Sequence, residues 1–149
     1  MPGLLLKSGA ALDLFSMLSS STLERPLVSL GISAGFPSPA NDFIDISIDL
    51  NRDLIKHPSA TFFGRVKGES MKDVGIGNGD LLIIDKSIQA SNGKIAVCFI
   101  DGDFTVKKIK LENKKCWLMP ANDKYQPIEI NEQNDLQIWG IVIHVIKSF

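Results

Sequence analysis

The sequence has few of the residues that metal and redox sites need, with only two Cys and two His in 149 residues. Cys98 and Cys116 lie in apolar segments and lack the CxxC spacing of zinc or redox sites. His57 and His144 stand alone, with no ligand pattern around them. We therefore expect no metal and no cofactor. We interpret both cysteines as small core residues of a cytoplasmic protein, since thiols stay reduced there.

Charge of one sign and long apolar runs are also missing. The chain has 16 basic and 17 acidic side chains, for a net charge of -1. Its overall field does not attract a polyanion, so we expect no direct sequence-specific DNA binding. No apolar run approaches the ~20 residues of a membrane span. Charged residues interrupt the N-terminal apolar clusters, which argues against a signal peptide.

Short strand patterns dominate what is present. Hydrophobic residues make up 44% of the chain, enough to bury a core. Strand-like segments separated by Gly-Asp, Asn-Gly and Asp-Gly pairs occur at 44–50, 60–66, 80–85, 94–100, 104–111, 116–119 and 136–147. The pair Asp101-Gly102 predicts a hairpin. The sequence therefore predicts a mainly β fold, with a compact strand-rich domain.

Two segments indicate how the chain is organised. Residues 136–147 are apolar on both alternating faces, which predicts a central strand. Residues 1–34 carry short apolar clusters without a sustained period, and we expect a flexible arm there. The stretch AGFPSPAND, residues 34–42, contains two prolines and small polar residues, which predicts an exposed loop at a boundary.

One serine, Ser70, lies in a sequence context that is compatible with a role as a nucleophile. Ser70 lies in GESM, residues 68–71, after a glycine that favours a tight turn. No G-x-S-x-G elbow is present, and neither histidine has a catalytic motif around it. The glycine-rich GIGNGD leads into a strand and not into a helix N-terminus, so it does not predict a phosphate loop. The remaining nucleophilic interpretation is a serine activated by a lysine.

Strand alternation favours one lysine as the partner. A lysine acts as a base only when neutral, and burial among apolar neighbours lowers its pKa. In FTVKKIKL, Lys107 shares a strand face with Thr105 and Ile109, whereas Lys108 shares its face with Lys110. The pattern therefore favours Lys107. Two exposed strand lysines remain the alternative.

A family resemblance supports the interpretation of Ser70 and Lys107 as a catalytic pair. The segments GFPSPANDFIDISIDLNRDLIKHPSATFFGRVKGESMKDVGIGNGDLLIIDKS, DGDFTVKKIKL and WGIVIHVIK resemble the LexA/UmuD-like self-cleaving serine peptidases. The resemblance implies that Ser70 is the nucleophile, Lys107 the general base and Ala34-Gly35 the scissile bond. It also implies an oxyanion hole from the backbone N–H groups of Ser70 and Met71. Residues 1–34 would then be an arm removed by self-cleavage, and residues 35–149 a LexA-like peptidase and dimerisation domain.

The same resemblance implies partners and a cellular role. It implies stimulation of cleavage by the RecA filament on single-stranded DNA, a homodimer, and an accessory role for an error-prone, UmuC-like Y-family polymerase in SOS mutagenesis. Alternatives are a non-catalytic β-rich binding module, a truncated LexA-like repressor or a signal-peptidase relative. Residues 1–34 are short for a helix-turn-helix domain, and the chain lacks a membrane anchor pattern. Glu69 replaces an aspartate common in the family, and we expect the change to be tolerated.

Overall fold

Strands make up most of the regular structure in the described residues. The computed structural model describes residues 5–9, 11–16, 24–28, 44–131 and 134–149. The strands are β1 (Leu5–Ser8), β2 (Leu12–Ser16), β3 (Glu24–Val28), β4 (Ile44–Asp49), β5 (Thr61–Val66), β6 (Leu81–Asp85), β7 (Ile95–Ile100), β8 (Asp103–Glu112), β9 (Lys115–Met119), β10 (Ile128–Ile130) and β11 (Leu136–Ile146). The predicted mainly β fold is confirmed.

The chain divides into two units, of which residues 19–56 form the smaller. In this unit β3 pairs with β4 in antiparallel orientation, and helix α1 (Leu50–Leu54) follows directly. The Asp49 side chain caps α1 by accepting a hydrogen bond from Asn51 N at 3.1 Å, and the Asp53 side chain accepts from Asp49 N at 3.1 Å. Together these bonds satisfy amide groups at the start of the helix.

The larger unit, residues 1–18 with 57–149, contains a nine-stranded sheet. Its strand order is β1-β2-β5-β6-β11-β7-β8-β9-β10. All the pairings in this sheet are antiparallel. Strand β11 lies fifth of nine, pairing with β6 through Ile141–Ile146 and with β7 through Leu136–Ile141. The predicted central position of this strand is confirmed.

Alternating residues of the sheet pack into two apolar clusters. On β8, Phe104 and Val106 belong to a cluster that includes Leu12 and Leu14 of β2. Ile109 of the same strand belongs to a second cluster, whose other buried members are Ala96, Cys98, Leu118 and Ile141. Because side chains alternate along a strand, the odd-numbered β8 residues from 105 to 109 lie on the face of the second cluster. Fully burying an apolar side chain in either cluster stabilises the fold by roughly 1.5–3 kcal/mol.

The Asp101-Gly102 pair forms the predicted hairpin between β7 and β8. Ile100 pairs with Asp103 across the turn, and the two turn residues have φ values of 48° and 87°. Both values lie in the left-handed region that Gly and Asp tolerate best. The turn sets the register that places Lys107 opposite Ala96.

Part of the segment that we predict to be an arm forms a strand that the sequence patterns did not indicate. Strand β2 pairs along its length with β5, and its Leu12 and Leu14 are fully buried. A five-residue strand carries too short a pattern to stand out, and its partner lies far away in the sequence. The three-residue strand β10 escaped prediction for the same reason. The Ala34-Gly35 bond lies outside the described residues, so the domain boundary at this bond stays a prediction.

A buried carboxylate ends β6. Asp85 is fully buried and accepts hydrogen bonds from Ser87 N at 2.8 Å and Ser87 Oγ at 2.5 Å. His57 Nδ1 lies 2.6 Å from its other oxygen. Burial alone would raise the pKa of Asp85, but the hydrogen bonds from Ser87 and His57 outweigh it and hold the pKa below its usual value. The ionised carboxylate therefore stabilises the folded state.

We predict that Asp85→Asn lowers the free energy of unfolding by about 1 to 3 kcal/mol at pH 7, because a neutral amide at this buried position cannot accept all the hydrogen bonds that Ser87 and His57 give to the carboxylate. Because the pKa of Asp85 is lower in the folded chain than in the unfolded chain, its carboxylate stabilises the folded state at any pH above the unfolded pKa of ~4. This stabilisation is lost as the pH falls through the folded pKa. The difference should therefore shrink in acid. Urea unfolding of the Ser70→Ala chain tests this. Glu112→Gln, at an exposed ion pair with Lys110, is the control and should cost under about 0.5 kcal/mol. Equal losses would contradict the prediction.

Candidate active site

Ser70 lies in a tight turn between β5 and β6. Gly68 precedes it with a φ of 91°, a conformation that glycine adopts without strain. Met71 follows and is buried in the first apolar cluster, while Ser70 itself is half-buried. A 3₁₀ turn, Lys72–Val74, comes next. The packed Met71 side chain thus anchors the turn and leaves Ser70 at the rim of the core.

Lys107 projects from β8 onto the face of the second apolar cluster. The residue is only 7% exposed, whereas its neighbour Lys108 is exposed. Burial lowers the pKa of Lys107 below its usual value, because the ammonium loses its hydration. The Tyr125 ring lies 5.7 Å from Lys107 Nζ. The burial predicted from strand alternation is therefore confirmed.

Ser70 and Lys107 line the same cavity, which has a volume of about 260 Å³. The other lining residues are Ala11, Lys67, Gly68, Glu69, Thr105 and Tyr125. Neither Ser70 Oγ nor Lys107 Nζ forms a hydrogen bond with any other residue that the structure describes. The cavity thus holds a hydroxyl and a buried amine that are free to interact with a third group.

A second lysine at the cavity differs in its electrostatics. Lys67 Nζ lies 2.8 Å from an oxygen of Asp13 and donates a hydrogen bond to Gly9 O at 3.0 Å. Lys67 is thus held in an ion pair, whereas Lys107 has no carboxylate partner among the described residues. Of the two lysines, Lys107 is therefore better suited to accept a proton. The sequence patterns did not reveal Lys67, because Asp13 belongs to a distant strand.

The loop that follows β9 packs against the serine turn. Ala121 N donates a hydrogen bond to Ser70 O at 2.8 Å, and Asp73 N donates to Ala121 O at 2.8 Å. Asn122, in the same loop, is buried. The sequence indicated no role for this loop. Pro120 and Pro127 bracket it and suggest a restricted backbone, but no local pattern shows which turn it contacts.

Two amide groups at the turn have no acceptor among the residues that the structure describes. The backbone N–H groups of Ser70 and Met71 donate no hydrogen bond to any acceptor within residues 44–131 or the other described segments. Free amides beside a nucleophile can stabilise a developing oxyanion. The proposed bond partners Ala34 and Gly35 lie outside the described residues, so their contact with this turn stays a prediction.

Two further properties bear on function. In the described part of the chain, no three or more His, Cys, Asp or Glu side chains are grouped so that they could hold a metal ion. The described helices are all too short or too polar to cross a membrane.

Comparison with known proteins gives one family. The model for Peptidase S24-like proteins matches residues 26–143. Protein MucA of Salmonella typhimurium is 41% identical over 134 residues, which cover 89% of this chain and 91% of MucA. Protein ImpA of Escherichia coli is 43% identical over 122 residues, 82% of this chain and 83% of ImpA. A LexA repressor of Ectopseudomonas mendocina is 41% identical over 117 residues, 78% of this chain and 57% of the repressor.

We predict that Lys107→Met raises the free energy of unfolding at pH 7 by about 1 kcal/mol or more, because an apolar side chain needs no hydration. The lowered pKa means that the unfolded chain binds more protons than the folded one up to the ordinary lysine pKa, ~10.4. Wild-type stability should therefore rise with pH in that window, and the advantage of Lys107→Met should shrink.

Urea unfolding between pH 7 and pH 10, in the Ser70→Ala background, measures this difference. Lys108→Met is the matched control, because this neighbour is exposed. The control should not change stability noticeably at either pH. A Lys107→Met variant that is less stable than its parent at pH 7 would contradict the prediction.

Proposed function

Because the chain belongs to the Peptidase S24-like family, we propose that it is a serine peptidase that cuts itself between Ala34 and Gly35. The observation that carries this proposal is the shared cavity, lined by a half-buried Ser70 and a buried Lys107 of lowered pKa. Cleavage would divide the chain into an arm, residues 1–34, and a product, residues 35–149.

The side chains suit acyl transfer by a serine and a lysine. Neutral Lys107 takes the proton of Ser70 as Oγ attacks the carbonyl carbon of Ala34. The resulting oxyanion accepts hydrogen bonds from the amides of Ser70 and Met71. Lys107 then returns the proton to the Gly35 nitrogen as the peptide bond breaks. Lys107 then takes a proton from water as the water attacks the ester carbonyl, and returns it to Ser70 Oγ as the ester C–O bond breaks. This step regenerates the serine and releases the carboxyl group of Ala34.

Occupancy of the site by the chain's own loop would govern the rate. Both residues at the bond are small, so the loop can enter a narrow cavity of about 260 Å³. An attached substrate reacts in a unimolecular step whose rate depends on the fraction of time spent in the reactive geometry. We propose that the RecA filament on single-stranded DNA raises that fraction.

We further propose that the product, residues 35–149, serves SOS mutagenesis. In this role it would be a dimeric accessory subunit of an error-prone, UmuC-like Y-family polymerase in translesion synthesis. A net charge of -1 supports action through protein partners and not through direct binding to DNA. The cysteines Cys98 and Cys116 are both free thiols, which supports a cytoplasmic location.

The central strand offers an edge for the dimer. Strand β11 pairs with β7 only through Leu136–Ile141, although its pairing with β6 continues to Ile146. Among the described residues, the last part of β11 therefore lacks a strand partner on one side. Val145 and Ile146 in this part are 37% and 40% exposed. An apolar, unpaired strand end can pair with its own copy about a two-fold axis.

We predict that the purified wild-type chain yields a fragment beginning at Gly35 and that Ser70→Ala does not. The neutral fraction of Lys107 grows as pH rises, so the rate should increase up to about tenfold per pH unit and level off above the pKa of Lys107. Intact mass after incubation from pH 7 to pH 10 measures the rate. Lys107→Ala should abolish cleavage, and Lys108→Ala should not.

RecA filaments should accelerate cleavage of the wild type and leave Ser70→Ala intact. If the wild type stays whole at alkaline pH and also with filaments, the non-catalytic β-rich binding module becomes the better account. Cleavage that persists in Ser70→Ala would instead indicate a contaminating peptidase.

We predict that the full-length Ser70→Ala chain is a dimer and that Val145→Asp shifts it to a monomer, because a carboxylate is costly in an apolar strand interface. Sedimentation at matched concentrations measures the mass. Leu111→Asp is the control, because Leu111 is also an exposed strand residue, 49% exposed, but lies on β8. A Val145→Asp variant that remains dimeric would exclude this edge as the interface.

A further inference from the structure

Asn122 joins the loop after β9 to the serine turn. Its side chain is buried, with 6% of the residue exposed, and it belongs to no apolar cluster. We propose that Asn122 is a positioning residue, which aims the backbone amides of Ser70 and Met71 at the oxyanion of the acyl transfer. This inference rests on the proposed peptidase function.

Both ends of the Asn122 carboxamide are engaged by the backbone. Its Nδ2 donates a hydrogen bond to Glu69 O at 2.7 Å, and its Oδ1 accepts one from Lys124 N at 3.0 Å. The orientation of the carboxamide is unambiguous, because a flip would set donor against donor and acceptor against acceptor. Asn122 therefore holds the Glu69 carbonyl in one direction.

Holding this carbonyl also directs the next amide. Glu69 O and Ser70 N–H belong to one planar peptide unit, and in a trans peptide the two groups point in opposite directions. The described chain contains no cis peptide bond. Glu69 O accepts from Asn122 Nδ2 and also from Lys72 N, the latter at a longer 3.2 Å. The Ser70 N–H is thus pointed away from these two donors.

The following peptide unit is held in the same way. Ser70 O accepts a hydrogen bond from Ala121 N at 2.8 Å, and this bond directs the Met71 N–H. Adjacent residues of one loop therefore control both amides proposed for the oxyanion hole. Neither amide donates to another described residue. Two amides held in this way would be preorganised donors, which need no rearrangement when charge develops.

The side chain also shapes its own loop. Lys124 N bonds to Asn122 Oδ1, and Tyr125 N bonds to Asn122 O at 3.0 Å, which closes a turn over residues 122–125. The turn places the Tyr125 ring near Lys107 Nζ. The bond from Lys124 N therefore fixes the orientation of the Asn122 carboxamide, and the bond from Nδ2 in turn fixes the Glu69 carbonyl.

Self-cleavage of full-length variants tests the proposal. Asn122→Ala should lower the maximal rate at alkaline pH by about 10- to 100-fold, because the Ser70 amide loses its direction. The pH midpoint of the rate should not move, because Asn122→Ala keeps the backbone bond from Tyr125 N to Asn122 O, which holds the Tyr125 ring near Lys107. Asn78→Ala is the matched control. Asn78 Oδ1 accepts from Gly68 N at 3.0 Å at an exposed position and does not contact the peptide units of the oxyanion hole. Its rate should stay within about threefold of the wild type.

A second measurement does not depend on catalysis. In the Ser70→Ala background, Asn122→Ala should shift the backbone amide NMR signals of positions 70 and 71, and Asn78→Ala should leave them in place. Asn122→Asp replaces Asn122→Ala if the latter fails to fold. It keeps the acceptor for Lys124 N and removes the donor to Glu69 O, so the rate should again fall.

The outcomes separate the two claims. A wild-type chain that stays whole, alone and with RecA filaments, would overturn the peptidase and with it this role of Asn122. If the wild type is cut and Asn122→Ala is cut equally fast, only the role of Asn122 is overturned. The same holds if the amide signals of positions 70 and 71 do not move. A rate loss with a shifted pH midpoint would point to an effect on Lys107 and would also overturn the proposal.

Discussion

The burial of one amine is the constraint around which the candidate site is arranged. Lys107 emerges from β8 on the face that carries Ala96, Cys98 and Ile109, where it is 7% exposed and an ammonium loses most of its hydration. Its pKa falls for that reason. A surface lysine beside Ser70 would remain charged at neutral pH and could not accept a proton. Burial on the apolar sheet face thus makes Lys107 suitable as the general base of the proposed reaction, but burying an amine lowers the stability of the fold.

Two lysines, Lys67 and Lys107, line the cavity, and the composition of the sequence does not distinguish them. Lys67 forms an ion pair with Asp13, whereas Lys107 has no carboxylate partner among the described residues. The difference comes from their neighbours, since both side chains line the same space. In the proposed mechanism the buried lysine is the one that accepts a proton. One cavity therefore offers two different electrostatic environments.

Local patterns predicted the parts of this structure that depend on neighbouring residues. Alternation along β8 separated Lys107 from Lys108, and Asp101-Gly102 marked a hairpin because its φ values favour those residues. Asn122 could not be predicted, since its partner Glu69 lies in a turn far from it in sequence. Strand β2 was missed for a similar reason. It is short, and the strand with which it pairs follows only after the smaller unit.

The position of β2 has a consequence for what a cut at Ala34-Gly35 would release. The segment before the bond contributes β2 to the larger unit, through pairing with β5, and β3 to the smaller unit, through pairing with β4. Breaking the peptide bond removes none of these contacts. It changes them from contacts within one chain to contacts between two, and the effective concentration that the tether supplied is lost. Departure of the fragment would then depend on dilution, and each vacated strand edge could accept another extended segment.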